Sequence, residues 1–446
     1  MTYPFIDKMF GSFYEQTSPP GMTYGVVERG ELVSTGAFGV SSIQSGKAVD
    51  VGTVFRIASM TKSFAAAAIL MLRDRGRLRL EQSVRTFLPD LPDDSLWNAT
   101  TLFHLLTMQA GFPTDDPWAD RQLWSDDEGF SEIFRSELLR VAPPGAEYHY
   151  SNLGYMLLGR VISRASGRQA LAFISEEILA PLGMTNTMWD FSGVQNDVAV
   201  GYARRGDVLV PEREARVTGD GAVFGGLAST LNDLARWIGF LTGTRQKAGP
   251  GEVVLSWESR QELQKAVVLV PPMAKTEEYT GYACGLCRYS GYKQWAVGHS
   301  GGLPGFGSHM RWFGDGSGII GLSNMTYCPV WEPCRTALGI LARDVTAGVP
   351  LMLAIVQGRA QDLISLIRTW DDDVADRLFA SNFFQDCDRD DVQANLARVA
   401  FLMHDPEVRA GRGLSGTLMS GQRALLSFTL APAEEGRIQA VSFVSG

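Results

Sequence analysis

Ser59-Met60-Thr61-Lys62 puts a hydroxyl three residues ahead of an amine at the start of an alanine-rich run, a spacing with chemical meaning. Three residues advance an α-helix by about 300°, so the two side chains share a face and the amine can reach the hydroxyl. A serine hydroxyl is barely nucleophilic near neutral pH, and an adjacent amine kept neutral by burial can take its proton. The flanks, Phe55-Arg56-Ile57-Ala58 and Ser63-Phe64-Ala65-Ala66, are mostly small or apolar, which predicts a lysine near buried surface. A serine at a helix N-terminus also meets free backbone N–H groups, suited to developing negative charge. Taken alone, the pair reads first as a capping serine and a surface lysine, and it is the small and apolar flanks that point to chemistry.

A second constellation is Tyr150-Ser151-Asn152, after Pro143-Pro144-Gly145 and before Leu153, Met156, Leu157, Val161 and Ile162, whose spacing predicts a helix. A tyrosine in a loop beside a lysine can have its phenol pKa lowered and shuttle a proton. An asparagine can donate to a substrate carbonyl and accept from a lysine. Asn152 also suits a helix N-cap. The third is Gly298-His299-Ser300-Gly301-Gly302, where glycines let a substrate approach a strand edge and an exposed N–H can form half of an oxyanion hole. It also satisfies G-x-S-x-G, which makes Ser300 a rival nucleophile with His309 and His404 as later bases. The elbow needs a helix next, and Leu303-Pro304-Gly305-Phe306-Gly307 cannot start one.

The elements that must hold these residues follow from periodicity. Short β-rich runs occupy 21–58, and a helix is expected over about 60–75, ending at Gly76. Residues 80–240 read mainly as helices and loops, with helical spacing at 102–108, 130–141, 153–165 and 171–179. After Thr280 strand-length runs return. Strands at both ends with helices between predict one α+β domain, 1–347, whose sheet is closed by distant parts of the chain. Residues 348–446, helices followed by three strand-like runs, predict a small C-terminal α+β domain that contains no recognisable chemical motif.

The three constellations together resemble the serine β-lactamase and penicillin-binding-protein superfamily, in its class C, DD-peptidase and family VIII esterase branch, whose pattern is S-x-x-K, Y-x-N and K-T-G or H-x-G. LEQSVRTFLPDLP, LFHLLTMQAGFP, PPGAEYHYSNLGYMLLGRVI, GAVFGGLASTLNDLARWIGFL and GHSGGLPGFGSHMRWF look like stretches of that family, in its order. The resemblance covers roughly residues 10 to 345 and implies an antiparallel sheet flanked by helices plus an all-helical subdomain. It implies Ser59 as nucleophile, Lys62 and Tyr150 sharing the acid–base work, and Asn152, His299, Ser300 and Gly301 binding substrate. The backbone N–H groups of Ser59 and Gly302 would hold the oxyanion. His299 stands where the β-lactamase lysine would be, and a histidine is only partly charged near neutral pH, which weakens a clamp for a substrate carboxylate. The expectation is a serine hydrolase acting through an acyl-enzyme on a small amide, peptide or ester, without cofactor or metal. The alternative is an acyltransferase or peptide cyclase using the same intermediate.

Composition narrows the partners. Of 446 residues, 40 are Lys or Arg and 49 Asp or Glu, a net charge of −9, and no basic run appears, so nucleic acid is not an expected partner. Five cysteines are too few for a disulfide framework, the N-terminus lacks a cationic and apolar leader pattern, and no apolar stretch is long enough for a bilayer. The expectation is a cytoplasmic, non-membrane protein of undetermined oligomeric state. Cys284 and Cys287 read as structural thiols on opposite faces of one strand, and Asp115-Asp116 and Asp126-Asp127-Glu128 as solvated loop charges. Phe112, Trp118, Trp124 and Trp189 are candidates for a pocket mouth or for the core.

Overall fold

The computed structural model describes residues 3–116, 118–121, 123, 127–135, 138–191, 197–213, 217–244, 254–270, 279–290, 292, 294–342, 349–404, 406–410, 415–420, 423–430 and 437–443. The chain divides into two compact units, Met1–Leu341 and Ala342–Gly446.

After a helix at Pro4–Thr17, the first unit begins its sheet with β1 (Gly21–Glu28) and β2 (Glu31–Gly39). Two short antiparallel pairs follow, β3 (Phe55–Arg56) with β6 (Ala228–Ser229) and β4 (Tyr202–Arg205) with β5 (Val208–Pro211). The late strands are β7 (Tyr279–Tyr282), β8 (Cys287–Tyr289), β9 (Ala296–Leu303), β10 (Phe306–Phe313) and β11 (Gly318–Ser323). They join the first two in a seven-stranded sheet of order β2-β1-β11-β10-β9-β8-β7. Every pairing is antiparallel, and β1 closes onto β11 with Met22 opposite Ser323. β10 and β11 are buried throughout, while the outer β2 alternates between exposed and half-buried residues. The helix Lys62–Asp74 is buried from Lys62 through Leu72. It ends before Gly76, whose φ of +70° is the left-handed geometry a helix-terminating glycine supplies.

Between these strands lie mainly helices. The one expected at 130–141 runs instead from Asp127 to Arg135. Leu139 and Val141, which extended its apolar pattern, are 77% and 54% exposed, and Pro143-Pro144 favours extended backbone just upstream. The run expected at 171–179 is a short α-helix, Ala170–Ile174, continued by a π-helical turn, Ser175–Leu179. Cys284 and Cys287 do not share a strand. Cys284 sits in the tight β7–β8 connection, where the Ala283 N–H donates to Leu286 O, and both thiols are free and buried.

The second unit has helices at Val349–Arg368, Asp372–Leu378, Phe383–Asp386 and Arg389–Leu402. An antiparallel sheet follows with β12 (Pro406–Ala410), β13 (Ser415–Ser420), β14 (Arg423–Leu430) and β15 (Ile438–Phe443) in sequential order. Leu363, Ile367, Phe379, Leu396, Leu426 and Phe428 are among its core. The sequence pattern predicts three strands here, and the additional one is β12. A short edge strand opening on proline carries little apolar signal.

Candidate active site

Ser59 lies in a 3₁₀ turn, Ala58–Thr61, that leads directly into the Lys62 helix. Residues i and i+3 eclipse in a 3₁₀ turn, so Lys62 stands over Ser59 more directly than a regular α-helix would place it. The turn is anchored from outside. Ile57 N–H donates to Leu227 O at 2.9 Å, Thr61 Oγ1 accepts from Leu227 N–H at 3.2 Å, and Ser63 Oγ donates to Met60 O at 2.8 Å. Ala58, immediately before the serine, has φ of +49°, a left-handed backbone that costs an alanine roughly 1–2 kcal/mol. That strain turns the chain sharply enough to present Ser59 at the head of the helix.

The Lys62 amine lies 2.9 Å from Ser59 Oγ, 2.6 Å from Asn152 Oδ1 and 2.9 Å from Phe224 O. Its side chain is fully buried. Asn152 begins the helix Asn152–Ser166, and its amide orientation is fixed because its Nδ2 donates to Asp115 Oδ1 and to Asp116. Asp115 also accepts from Ser151 Oγ and from the N–H groups of Asn152 and Leu153, each at 2.8–2.9 Å. It is therefore a buried cap on that helix, 9% exposed, and not the solvated charge expected from sequence. Phe224 reaches the site because its 3₁₀ turn packs on the same helix at Gly159, where a Cβ would lie 1.9 Å from Asp220 O. Only glycine permits that approach.

These contacts define the useful protonation state. Asn152 Oδ1 and Phe224 O are pure acceptors and use two N–H bonds of the amine. A neutral amine then has one lone pair left, and it faces the Ser59 hydroxyl. Burial pushes the Lys62 pKa down from 10.5 to about 8, against the opposing pull of the carboxylates of Asp116, Asp120 and Asp115. Tyr150 is half-buried, lies in hydrogen-bonding reach of Ser59, and holds its ring 5.0 Å from the Lys62 nitrogen. Its phenol is not acidified as the sequence argument allows. Burial, reinforced by Asp116, holds its pKa well above 10, so it is a neutral donor.

β9 supplies the opposite wall. β8 pairs only with Ala296–Gly298, so among the described residues His299 to Leu303 have no strand partner on that side, and this part of β9 packs against the Ser59 turn. A Cβ at Gly301 would lie 2.3 Å from both Ile57 O and Ser308 Oγ, so the strand can ride on the turn only as glycine. His299 is buried with its ring 6.2 Å from that of Tyr150, and its Nδ1 bonds Ser300 O. Burial, then the charge of Lys62, pushes its pKa to about 3, so it is neutral at every ordinary pH. Its Nε2 is buried without a hydrogen-bond partner among the described residues.

Strand alternation sends Ser300 to the other face, where its Oγ meets His309 Nδ1 at 2.8 Å. Arg311 Nε donates to His309 Nε2 at 3.2 Å, so Nδ1 carries the proton and donates to Ser300. An imidazole in that tautomer cannot accept the Ser300 proton, and Ser300 lies within a strand rather than at a strand–turn–helix elbow. The Ser300 hydroxyl, expected among substrate-binding side chains, is thus engaged by His309 on the face away from the Ser59 turn. Gly302 lies under Tyr327, which would be 2.7 Å from a Cβ there.

The geometry adds groups that no spacing rule links to Ser59. Asp120 is 4% exposed and accepts from the Tyr327 hydroxyl at 2.9 Å; burial, then Asp116, raises its pKa to about 6. Phe112 and Trp189 are buried, Trp118 is 48% exposed, and Trp124 and Asp126 lie outside the described residues. Among the described residues no group of His, Cys, Asp and Glu could hold a metal ion, and no helix is long and apolar enough to cross a membrane.

A family model described as Beta-lactamase matches residues 6–339. A relative named Beta-lactamase-like protein 2, from Dictyostelium discoideum, is 26% identical over 254 residues, 53% of this chain and 45% of that protein. The chain thus spans about half the length of that curated relative. An octameric penicillin-binding protein homologue from Pyrococcus abyssi superposes with a TM-score of 0.68 at 26% identity, covering 76% of this chain and 77% of that one. A class C beta lactamase from Rhodobacter sphaeroides shares the fold with a TM-score of 0.60 at 21% identity, over 75% of this chain and 99% of its own.

Proposed function

The chain belongs to the beta-lactamase family, and from that premise we propose that it is a serine hydrolase that forms an acyl-enzyme on Ser59 with a small amide, peptide or ester. The observation that carries this reading is the Lys62 amine, buried and held by two acceptors with its third contact on Ser59 Oγ. In the first step Ser59 Oγ attacks the substrate carbonyl as its proton passes to Lys62. The tetrahedral oxyanion takes backbone N–H donors from Ser59 and Gly302. The bond to the leaving group then breaks, and a proton relayed from Lys62 through the Tyr150 phenol goes to that group. Water repeats the sequence, releasing the acid and restoring the Ser59 hydroxyl. Asn152 aligns Lys62, and His299 and Gly301 bound the space the substrate enters.

A neutral His299 leaves that position without a cation for a substrate carboxylate, which favours uncharged esters and amides over β-lactams. The test is intact mass after incubation with activated esters, thioesters and β-lactams, followed by peptide mapping. An adduct on Ser59 that is absent from Ser59→Ala supports the reading; an adduct that maps to Ser300, or none from any donor, refutes it. Adding an amine during turnover separates hydrolysis from acyl transfer. Acid as the sole product means hydrolysis, and diversion to an amide means the acyl-enzyme serves a transferase.

A further inference from the structure

β9 turns into β10 through Pro304-Gly305, a two-residue connection that sets Leu303 opposite Phe306. The residues flanking such a turn form a hydrogen-bonded pair and the pairs then alternate, so Gly302 with Gly307 and Ser300 with His309 are non-hydrogen-bonded pairs. Ser300 and Gly302 therefore aim their N–H and C=O groups at the edge of β9 that β8 leaves uncovered, where an oxyanion donor is needed. The Ser300 carbonyl at that edge accepts from the His299 ring. The same alternation leaves Ser300 without a backbone bond to β10, and its side chain ties it there instead. Ser300 Oγ accepts from His309 Nδ1 at 2.8 Å, a contact that the close approach of a non-hydrogen-bonded pair allows. Behind it, Arg311 Nε donates to His309 Nε2 at 3.2 Å and Arg311 Nη1 to the Tyr292 hydroxyl at 2.8 Å, while the guanidinium carbon lies 3.7 Å from the centre of the Tyr289 ring. His309 and Arg311 are 0% and 2% exposed. Burying a guanidinium behind a strand is costly, and the mechanism above uses neither residue.

Resting on the hydrolase reading, we propose that Arg311 and His309 are positioning residues that, acting through Ser300, hold the Gly302 N–H on the oxyanion formed at Ser59. The hydrogen-bond polarity runs one way. Arg311 Nε can only donate, so the His309 proton stays on Nδ1, and that N–H fixes the Ser300 side chain. Burial, then the Arg311 charge, holds the His309 pKa well below 6.5, so the ring keeps this neutral tautomer at ordinary pH. Gly301 and Gly302, the next two residues, have the widest backbone freedom of any residue type and cannot hold their shared peptide in one orientation by themselves. Their contacts limit them from the other sides, because Gly301 rides on the Ile57 carbonyl and Gly302 lies under Tyr327. Ser300 is the residue at which side-chain anchoring begins. A turn of its backbone passes directly to the Gly301–Gly302 peptide that carries the donor.

The experiment measures burst-phase acylation at pH 8 by a p-nitrophenyl ester and by the matching thionoester, whose C=S sulfur accepts hydrogen bonds more weakly than oxygen. The oxo-to-thiono rate ratio reads the oxyanion donors. Because it is taken within one variant, changes in folded fraction and in Ser59 nucleophilicity cancel. Wild-type enzyme is expected to favour the oxoester by at least tenfold. Ser300→Val and Ser300→Thr have nearly the same shape, and only threonine keeps the hydroxyl. The ratio should fall at least fivefold in Ser300→Val and stay within twofold of wild type in Ser300→Thr. His309→Leu should match Ser300→Val, and the double variant should fall no further, since the groups act as one unit. Thermal unfolding checks each variant, and if His309→Leu does not fold the Ser300 pair decides alone. A wild-type preference below tenfold, a ratio that moves less than fivefold in Ser300→Val although both rates drop, or an equal fall in Ser300→Thr overturns the proposal while leaving the hydrolase reading intact. Absence of a Ser59 adduct in the wild type, or an adduct that maps to Ser300, overturns both.

Discussion

If the neutral Lys62 amine is the base, the rate at which Ser59 is acylated must follow its titration, and the structure supplies the numbers. With a pKa of about 8, the neutral fraction is about 1% at pH 6, about 9% at pH 7 and half at pH 8. The sign is fixed by which form works: acylation rises as pH climbs toward 8, by about 50-fold between pH 6 and pH 8, and levels off above it. Tyr150 adds no second rise there, because burial holds its phenol protonated. His299 adds no step near 6.5, because it is already neutral. The assay is the pre-steady-state burst from a non-ionising p-nitrophenyl ester, followed from pH 5.5 to pH 9. Asp116→Asn removes the largest charge that holds Lys62 protonated, while its side-chain oxygen can still accept from Asn152. The limb should therefore move to lower pH, and the rate at pH 6 should increase. Lys62→Arg substitutes a guanidinium that stays charged and lacks a lone pair, so the burst should slow by roughly 10²–10⁴-fold and lose the limb. A flat wild-type profile below pH 8, or a limb that survives in Lys62→Arg, refutes the assignment. Loss of the limb in His299→Gln alone would transfer the role of base to the imidazole.

Tyr150→Phe should lower kcat by roughly 10²–10⁴-fold, and the double variant with Lys62→Arg should cost little more than either change alone, since both groups serve one proton path. Gly301→Ala forces a Cβ to 2.3 Å from Ile57 O, so thermal unfolding should report a loss of about 1–3 kcal/mol and Ser59 labelling should slow further than folding alone explains. Asp115→Ala removes the acceptor for two helix N–H groups and the Ser151 hydroxyl, and denaturant titration should show about 2–3 kcal/mol less stability. Truncation after Leu341 should leave Ser59 reactive toward a fluorophosphonate, because the two units have separate internal cores; loss of soluble protein would refute that independence.

What could be read in advance divides along a physical line. Ser59, Lys62, Tyr150 and Asn152 were legible because local spacing places each on an element whose start the chain announces: an alanine-rich helix, and an apolar helix after a proline-rich loop. The sheet was legible as strand-length runs at both ends, although only the pairing of β1 with β11 shows how they close. Asp116, Asp120, Tyr327 and the Phe224 carbonyl were not legible. They come from loops and turns, where no periodicity ties a residue at 120 or 224 to one at 59. Protonation states were hidden for a related reason. The same Tyr150 beside the same lysine would be acidified in a wet cleft and is the reverse here, because desolvation exceeds the attraction of one nearby cation. The sign of that balance depends on how many atoms of distant segments cover the ring, and no local window of sequence contains it. Sequence therefore nominated the candidate reacting atoms, whereas burial of Lys62, opposed by the carboxylates around it, sets the pH at which its amine is neutral.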